Sequence, residues 1–273
     1  MTASAVISHT TGDRHVSRFE LATLPTPKAT ATWYPTPHSD VAHAAVSTLQ
    51  DAGYSIRSER WTLSKGDSRL FGVIDLSLPL SRWDSPGRGA SVSLGIRNGL
   101  DRRISHGVCA GSKVFVCSNL AFSGDIVFRR KHTRHGLSDF RGQISEAIER
   151  LPAYQSAESA RIESWMNYEL STEQADALTL ALFESGTIGL RQFKPVMEEL
   201  RNPTFDDFAG KLTVWSLFNR ITTALRTRAS QRAIEHATET SQLVRQLDQI
   251  IDVSHRAKTE GIVRPLALTY DPD

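Results

Sequence analysis

The sequence predicts an α+β fold, with an antiparallel β-sheet at its centre, a helix before the sheet and an all-helical C-terminal half. Two observations lead to this prediction. Between residues 54 and 132, short runs rich in β-branched and aromatic residues alternate with turn signals. From residue 137 onward, apolar residues recur at the spacing of amphipathic helices. Strands followed by helices in this order are typical of α+β proteins.

The composition is that of a globular protein that does not depend on disulfide bonds. The chain has 273 residues, of which 40% are hydrophobic and 23% charged, and this length can bury a large core in one or two domains. Its two cysteines, Cys109 and Cys117, are too few for a disulfide framework or a four-cysteine zinc site. No apolar run is long enough to span a membrane, and the N-terminus lacks a signal-peptide pattern. We therefore expect a cytoplasmic protein with no membrane partner.

Residues 1–38 are predicted to form an extended arm, because four prolines interrupt a stretch rich in Thr and Ala. A helix is predicted after Pro37, with Ser39 or Asp40 as its capping residue and Gly53 at its end. Residues that recur at helical spacing support it. They are Val41, Ala44, Ala45, Thr48 and Leu49.

Six strands are predicted in the central region. They cover residues 54–63, 69–80, 90–98, 104–110, 113–118 and part of 121–132. The first two form a β-hairpin, because Lys65-Gly66-Asp67 between them is a turn signal. Residues 81–89 have the composition of a loop. Asn98-Gly99 predicts a tight turn after the third strand.

Helices account for the rest of the chain. The predicted buried face of the first consists of Phe140, Ile144, Ala147, Ile148 and Leu151. Ser171 and Gln174 form a capping-box pattern at the start of the second helix, and the third covers residues 190–200. A long fourth helix begins near Phe205 or Leu212 and continues towards Val253. These elements suggest an N-terminal arm (1–38), an α+β basic region (39–135), a helical region packed on it (136–253) and a C-terminal tail (254–273).

The formal net charge of +2 conceals an uneven distribution. Residues 82–135 carry ten basic and three acidic side chains, a net charge of +7, whereas residues 136–211 carry seven and thirteen, a net charge of −6. Such an asymmetry bears on partners rather than on fold. Either the basic residues contact a polyanion, or the two segments neutralise each other within one chain or between subunits.

We predict a non-enzymatic nucleic-acid-binding protein of mobile-element type that binds or anneals single-stranded DNA or holds distorted DNA, with a homo-oligomer as the expected assembly. Residues 129–135 form the densest basic cluster, which suits phosphate contact. The residues predicted to contact phosphates are Arg97, Arg102, Arg103, Lys113, Arg129, Arg130, Lys131 and Arg134. Trp83 lies in a loop beside two arginines and is predicted to stack on a base.

Two alternatives remain open. In the first, the protein is a homo-oligomeric scaffold whose basic and acidic segments pair across an interface. In the second, it is an enzyme of nucleic-acid metabolism that uses His106, His132 or His135 as an acid, a base or a metal ligand. The sequence contains no complete catalytic, nucleotide-binding or zinc motif. We therefore expect no catalytic residues, no metal site and no cofactor.

Two further groups of residues stand out. Asn98, Cys117 and Asn119 belong to neighbouring predicted strands, where they either border a ligand surface or serve as a buried thiol and turn-forming amides. Trp215 belongs to an apolar stripe that is typical of a core-packing helix. Asn219 lies beside that stripe and needs a polar partner, which we expect to be a helix end or the sheet.

Three stretches combine these residues: PTPHSDVAHAAVSTLQDAGY with the later LFGVIDL, IRNGLDRRISHGVCAGSKVFVCSNLAF, and KLTVWSLFNRITTALR. Together, over most of residues 25–235, they resemble the DUF932 family of phage- and plasmid-associated proteins. The residues that carry most of the resemblance are Asn98, Cys117, Ser118, Asn119, Trp215, Asn219 and Thr222. Thr223 stands where many members have an acidic residue. The resemblance implies no established activity, but the mobile-element setting implies a role in DNA transactions.

Overall fold

The computed structural model describes residues 14–79, 90–114, 120–121, 126–225 and 243–249. The chain divides into two compact units, Met1–Glu163 with Arg226–Thr238, and Ser164–Leu225 with Glu239–Asp273. The division falls within a long helix, whereas the sequence suggests a change of region after residue 135. The predicted α+β class is confirmed, since the described strands all precede residue 131 and the described elements from residue 136 onward are helical, apart from one isolated bridge.

The helices and strands have the following bounds. The strands are β1 (Arg14–Val16), β2 (Ile56–Ser64), β3 (Arg69–Pro79), β4 (Ala90–Gly99), β5 (His106–Val114), β6 (Leu120–Ala121) and β7 (Val127–Arg130). The α-helices are α1 (Arg18–Ala22), α2 (His38–Asp51), α3 (Gly136–Asn167), α4 (Thr172–Glu184), α5 (Leu190–Arg201) and α6 (Val214–Leu225). Asp206–Phe208 forms a 3₁₀ turn, and residues 243–249 are also helical.

The described strands form one antiparallel sheet in the order β1-β2-β3-β4-β5, with β6 and β7 both beside β5. The predicted hairpin is confirmed as β2 and β3, and its turn contains the left-handed residues Lys65, Gly66 and Asp67. The short strand predicted within 121–132 is confirmed as β7. β5 runs unbroken past residue 110, where the sequence predicted a gap.

The predicted tight turn at Asn98-Gly99 is wrong. Both residues lie in β4 and pair with β3, and the chain turns over residues 100–105 instead. The pairing with β3 therefore extends β4 through the turn signal. A side chain at Gly99 would come within 2.8 Å of Ile104, so the glycine permits close packing between β4 and the following loop.

Helix α2 and the first part of α3 pack against the same face of the sheet. Helix α2 contacts β3 and β4, and its predicted apolar residues are buried, apart from the half-buried Thr48. The first part of α3 adds Phe140, which contacts the ring of His106 on β5, and the predicted buried face of α3 is confirmed. The predicted N-cap of α2 is wrong, because Pro37 occupies that position and its carbonyl accepts the amides of Asp40 and Val41. The predicted end at Gly53 is confirmed, since this glycine follows the C-cap in the left-handed conformation.

Two other features of the first unit follow from its side chains. Residues 14–22 form β1 and α1 rather than an irregular arm, and Ser17 and Glu20 make a capping box there. On the sheet face opposite α2, Asp75 is fully buried and accepts hydrogen bonds from Ser58 (2.5 Å) and Ser93 (2.8 Å) on the two neighbouring strands. These bonds satisfy a buried carboxylate within the sheet.

The second unit is helical. The predicted capping box at Ser171 is confirmed at the start of α4. In α6, Trp215 and Phe218 are buried, and Arg220 is a buried cation whose guanidinium donates to the carbonyls of Leu200 and Phe208. The guanidinium therefore satisfies carbonyls at the end of α5 and in the 3₁₀ turn. The rest of the predicted long helix, apart from residues 243–249, lies outside the described residues.

Candidate nucleic-acid interface

Three segments meet at one end of the sheet. They are residues 33–38 before α2, residues 100–105 between β4 and β5, and residues 131–135 between β7 and α3. The amide of Tyr34 donates to the carbonyl of His132 at 3.1 Å, and Nε2 of His132 lies 3.1 Å from the carbonyl of Ile104. His132 therefore links two segments that are distant from it in the sequence.

Cations and aromatic rings are in contact at this end of the sheet. The guanidinium of Arg102 lies 4.8 Å from the ring centre of Trp33, and that of Arg134 lies 5.9 Å from the ring centre of Tyr34, both within the range of cation–π attraction. The four basic residues are exposed and the two rings half-buried. We use the term loop-end surface for Trp33, Tyr34, Arg102, Arg103, Lys131 and Arg134.

The positive charge of this surface is not neutralised by neighbouring carboxylates. Within the described part of the chain, none of its four cations forms an ion pair. Asp101 on the same loop accepts bonds from Arg69 (2.6 Å) and from the amide of Arg103 (3.0 Å). Partial burial disfavours the charged form of Asp101, but these bonds outweigh burial and lower its pKa. The charge of Asp101 is thus compensated by Arg69.

Buried polar side chains pack behind the loop-end surface. Asn98 and His106 are fully buried, and His38 and His132 are at most 5% exposed. The rings of His106 and His132 meet edge to face with their centres 4.1 Å apart. Nδ2 of Asn98 donates to the carbonyl of Thr36 and to Nδ1 of His38, both at 2.9 Å. We use the term histidine cluster for His38, Asn98, His106 and His132.

The pKa values of all three buried histidines are lowered, which favours their uncharged forms. Burial lowers the pKa of His106 to about 3, and the neighbouring ring of His132 adds to this effect. Burial lowers the pKa of His38 to about 4, although the carbonyl of Asp67 opposes the change. Burial also lowers the pKa of His132, against the carbonyl of Ile104 and the charge of Asp101. Desolvation is the common cause, because it disfavours the imidazolium form.

The structure divides the predicted phosphate-contacting residues into several groups. Arg97 and Arg129 flank Gly107 in register on adjacent strands, so they lie on the sheet face opposite His106. The backbone of Arg130 pairs with that of His106 in β5. Lys113 lies at the other end of β5. The sequence grouped these residues by proximity along the chain. Among those whose side chains the structure describes, the loop residues Arg102, Arg103, Lys131 and Arg134 share the loop-end surface.

The remaining residues that the sequence analysis named lie either in the interior or outside the described part of the chain. Asn98 is interior to the sheet and bonds to His38, so its role there is structural. Trp215 packs in the second unit, and Asn219 donates to the carbonyl of Trp215 within α6. Trp83, Cys117 and Asn119 lie outside the described residues.

The enzyme alternative named three histidines, of which the structure brings two together. His106 and His132 are in contact, whereas His135 is exposed on the loop before α3. In the described ranges, no group of three or more His, Cys, Asp or Glu side chains is placed to hold a metal ion. No described helix combines the length and apolar character that a membrane span requires.

Several acidic side chains of residues 136–211 pair with basic residues of the same segment. The ion pairs are Glu146–Arg150, Glu158–Arg161, Glu169–Lys211, Asp176–Arg201 and Glu198–Lys194. These pairs therefore commit part of the acidic segment to cations of the same segment.

The comparisons with known proteins identify no relative. No family model matches the chain, and no match is found among curated proteins or solved structures. The resemblance to the DUF932 family therefore stays a prediction. Trp33 and Tyr34 of the loop-end surface were not among the predicted nucleic-acid-binding residues, although an aromatic pair between prolines at 27 and 35 is a visible signal for a presented loop.

Proposed function

We propose that the protein binds single-stranded nucleic acid through the loop-end surface. The observation that carries this proposal is the contact between exposed guanidiniums and aromatic rings at Arg102–Trp33 and Arg134–Tyr34. Proteins that bind single strands combine a positively charged path for the phosphates with aromatic rings on which bases stack. Both components occur here on three adjoining segments.

The two kinds of residue have separate roles in this proposal. Arg102, Arg103, Lys131 and Arg134 contact phosphates, and this contact displaces counterions from the strand. The ring of Tyr34 stacks on a base when the guanidinium over it turns towards a phosphate. A duplex keeps its bases paired, so it gains the phosphate contacts without the stacking. The surface therefore favours single strands over duplexes.

Salt dependence provides the first test. With four phosphate contacts, the slope of log affinity against log salt concentration is expected to be about −3 for a single strand. Fluorescence anisotropy of a labelled oligothymidylate over a salt series measures it. The double variant Lys131→Ala/Arg134→Ala is expected to make the slope less negative by about 1.4. The matched control Arg191→Ala/Lys194→Ala removes the same charge from exposed positions on α5 and is expected to leave the slope unchanged.

The stacking role has its own test. Tyr34→Leu removes the ring but keeps the amide that donates to His132. Base–aromatic stacking is worth about 1–3 kcal/mol, so single-strand affinity should fall while duplex affinity stays constant. Absence of wild-type binding at low salt, or equal effects of the loop-end and α5 double variants, would overturn the proposal. Salt-sensitive oligomers without nucleic-acid binding would instead support the scaffold alternative.

A further inference from the structure

The bond between His38 and Asn98 has only one arrangement that satisfies both partners. Nδ2 of Asn98 faces the carbonyl of Thr36, and Nε2 of His38 faces the carbonyl of Asp67 at 3.1 Å. Carbonyl oxygens only accept, so both nitrogens must donate. Nδ1 of His38 is then the unprotonated nitrogen, and it accepts the second hydrogen of the Asn98 amide. The neutral imidazole is thus part of the hydrogen-bond pattern.

Protonation of His38 removes this arrangement. A proton on Nδ1 places an N–H donor against the N–H donor of Asn98, and two donors cannot bond to each other. Turning the Asn98 amide over would bring its oxygen to His38, but that oxygen would then face the carbonyl of Thr36. Oδ1 of Asn98 has no hydrogen-bond partner among the described residues, so the bond from Nδ2 to the carbonyl of Thr36 is the one that a turn of the amide would break. The site therefore has two incompatible bonding states.

The segment attached to this bond carries the interface aromatics. Thr36 lies two residues after Tyr34, and the Tyr34 amide is bonded to His132 of the same cluster. His132 in turn packs against His106, and neither ring nitrogen of His106 has a hydrogen-bond partner among the described residues. Charge on any of these imidazoles would be poorly compensated in a buried site.

We propose that the histidine cluster is a proton-sensitive latch, whose neutral form holds Trp33 and Tyr34 in place on the loop-end surface and whose protonation releases them. This inference rests on the proposed function, since it assigns a regulation to that surface. The charged groups that act on the cluster are Asp67 next to His38 and Asp101 next to His132, which favour protonation. The three histidines oppose one another, and α3 contributes the uncharged ring of Phe140.

The direction of the pH effect follows from the lowered pKa values. In the folded state the pKa of His38 is about 4, below the ordinary histidine value of 6.5. The neutral imidazole therefore stabilises the fold fully above pH 6.5, and this stabilisation is lost as the pH falls from 6.5 towards about 4. Acid should therefore open the latch. Simple phosphate contact would strengthen at acidic pH, because the protein gains positive charge. A weaker affinity in acid is consequently a specific signature of the latch.

The experiment measures the affinity for an oligothymidylate, whose bases do not take up protons in this range. From neutral pH to about pH 5, wild-type affinity should fall about tenfold, which corresponds to one pKa unit of coupling. His38→Gln provides an amide that does not titrate, so the fall of its affinity in acid should be smaller than that of the wild type. The control His135→Gln changes an exposed histidine and should keep the wild-type dependence. Constant or rising wild-type affinity in acid, or the same fall in His38→Gln, would overturn the latch.

A second measurement separates failure of the latch from failure of the proposed function and does not need a variant that folds. Hydrogen exchange of the wild-type protein, corrected for the intrinsic effect of pH, reports the protection of the Tyr34 amide. That protection should fall between neutral pH and about pH 5 even if the protein binds no nucleic acid. Unchanged protection would reject the latch, whereas lost protection without any nucleic-acid binding would reject only the proposed function.

Discussion

Asn98→Ala is the substitution with the clearest energetic consequence. The fully buried amide donates two hydrogen bonds, one to the carbonyl of Thr36 and one to Nδ1 of His38, each 2.9 Å long. Alanine removes both donors and leaves both acceptors in a buried position without a partner. The oxygen of the amide adds no loss, because Oδ1 has no hydrogen-bond partner among the described residues.

The magnitude follows from these two bonds. An unsatisfied buried acceptor costs about 1–3 kcal/mol and a net hydrogen bond contributes about 1 kcal/mol. For two acceptors, we therefore expect Asn98→Ala to lower the free energy of unfolding by about 2–6 kcal/mol. Urea unfolding, followed by circular dichroism, measures this difference through the shift of the transition midpoint.

A matched control variant, and a second variant whose stability should change with pH in the opposite direction, test the same reasoning. Asn202→Ala changes an exposed asparagine and should alter the free energy of unfolding by less than about 0.5 kcal/mol. Asn98→Asp replaces the donor with a carboxylate, which pairs with protonated His38, so this variant should gain stability relative to wild type as the pH falls. A loss below about 1 kcal/mol in Asn98→Ala would refute the assignment of both bonds.

Three further predictions concern buried positions: Gly72, Arg220 and Cys109. Gly72→Ala places a Cβ 2.1 Å from Cζ3 of Trp61, so we expect it to destabilise the fold by about 1–3 kcal/mol in urea unfolding; a neutral result would contradict the close approach. Arg220→Met leaves buried carbonyls unpaired and should lower the melting temperature, with Arg220→Lys intermediate. Burial raises the pKa of the Cys109 thiol to about 12. In a Cys117→Ser background, that thiol should therefore react with a thiol reagent only on unfolding.

Local patterns predicted most of the described secondary structure. The capping box at Ser171, the turn at Gly66 and the apolar face of α3 all depend on residues within a few positions of one another. Short-range spacing specifies such features because backbone geometry alone brings these residues together. The missed capping box at Ser17 carried the same kind of signal, but the surrounding prolines favoured an irregular segment.

The wrong prediction at Asn98-Gly99 has a different cause. A two-residue turn signal competes with strand pairing, and here β3 supplies partners for both residues. The short-range signal does not show how far the neighbouring strand extends. The side chain of Asn98, moreover, finds its partners at Thr36 and His38, which are far away in the sequence.

By itself, the sequence determined the α+β class, the order of most strands and helices, and the presence of a basic central segment. Only the tertiary structure decided which basic residues share a surface. Strand alternation places Arg97 and Arg129 on one face of the sheet, while the two loops bring Arg102 to Trp33 and Arg134 to Tyr34. The physical reason is range: periodicity acts over a few residues, whereas these contacts depend on sheet register and on buried hydrogen bonds between distant segments.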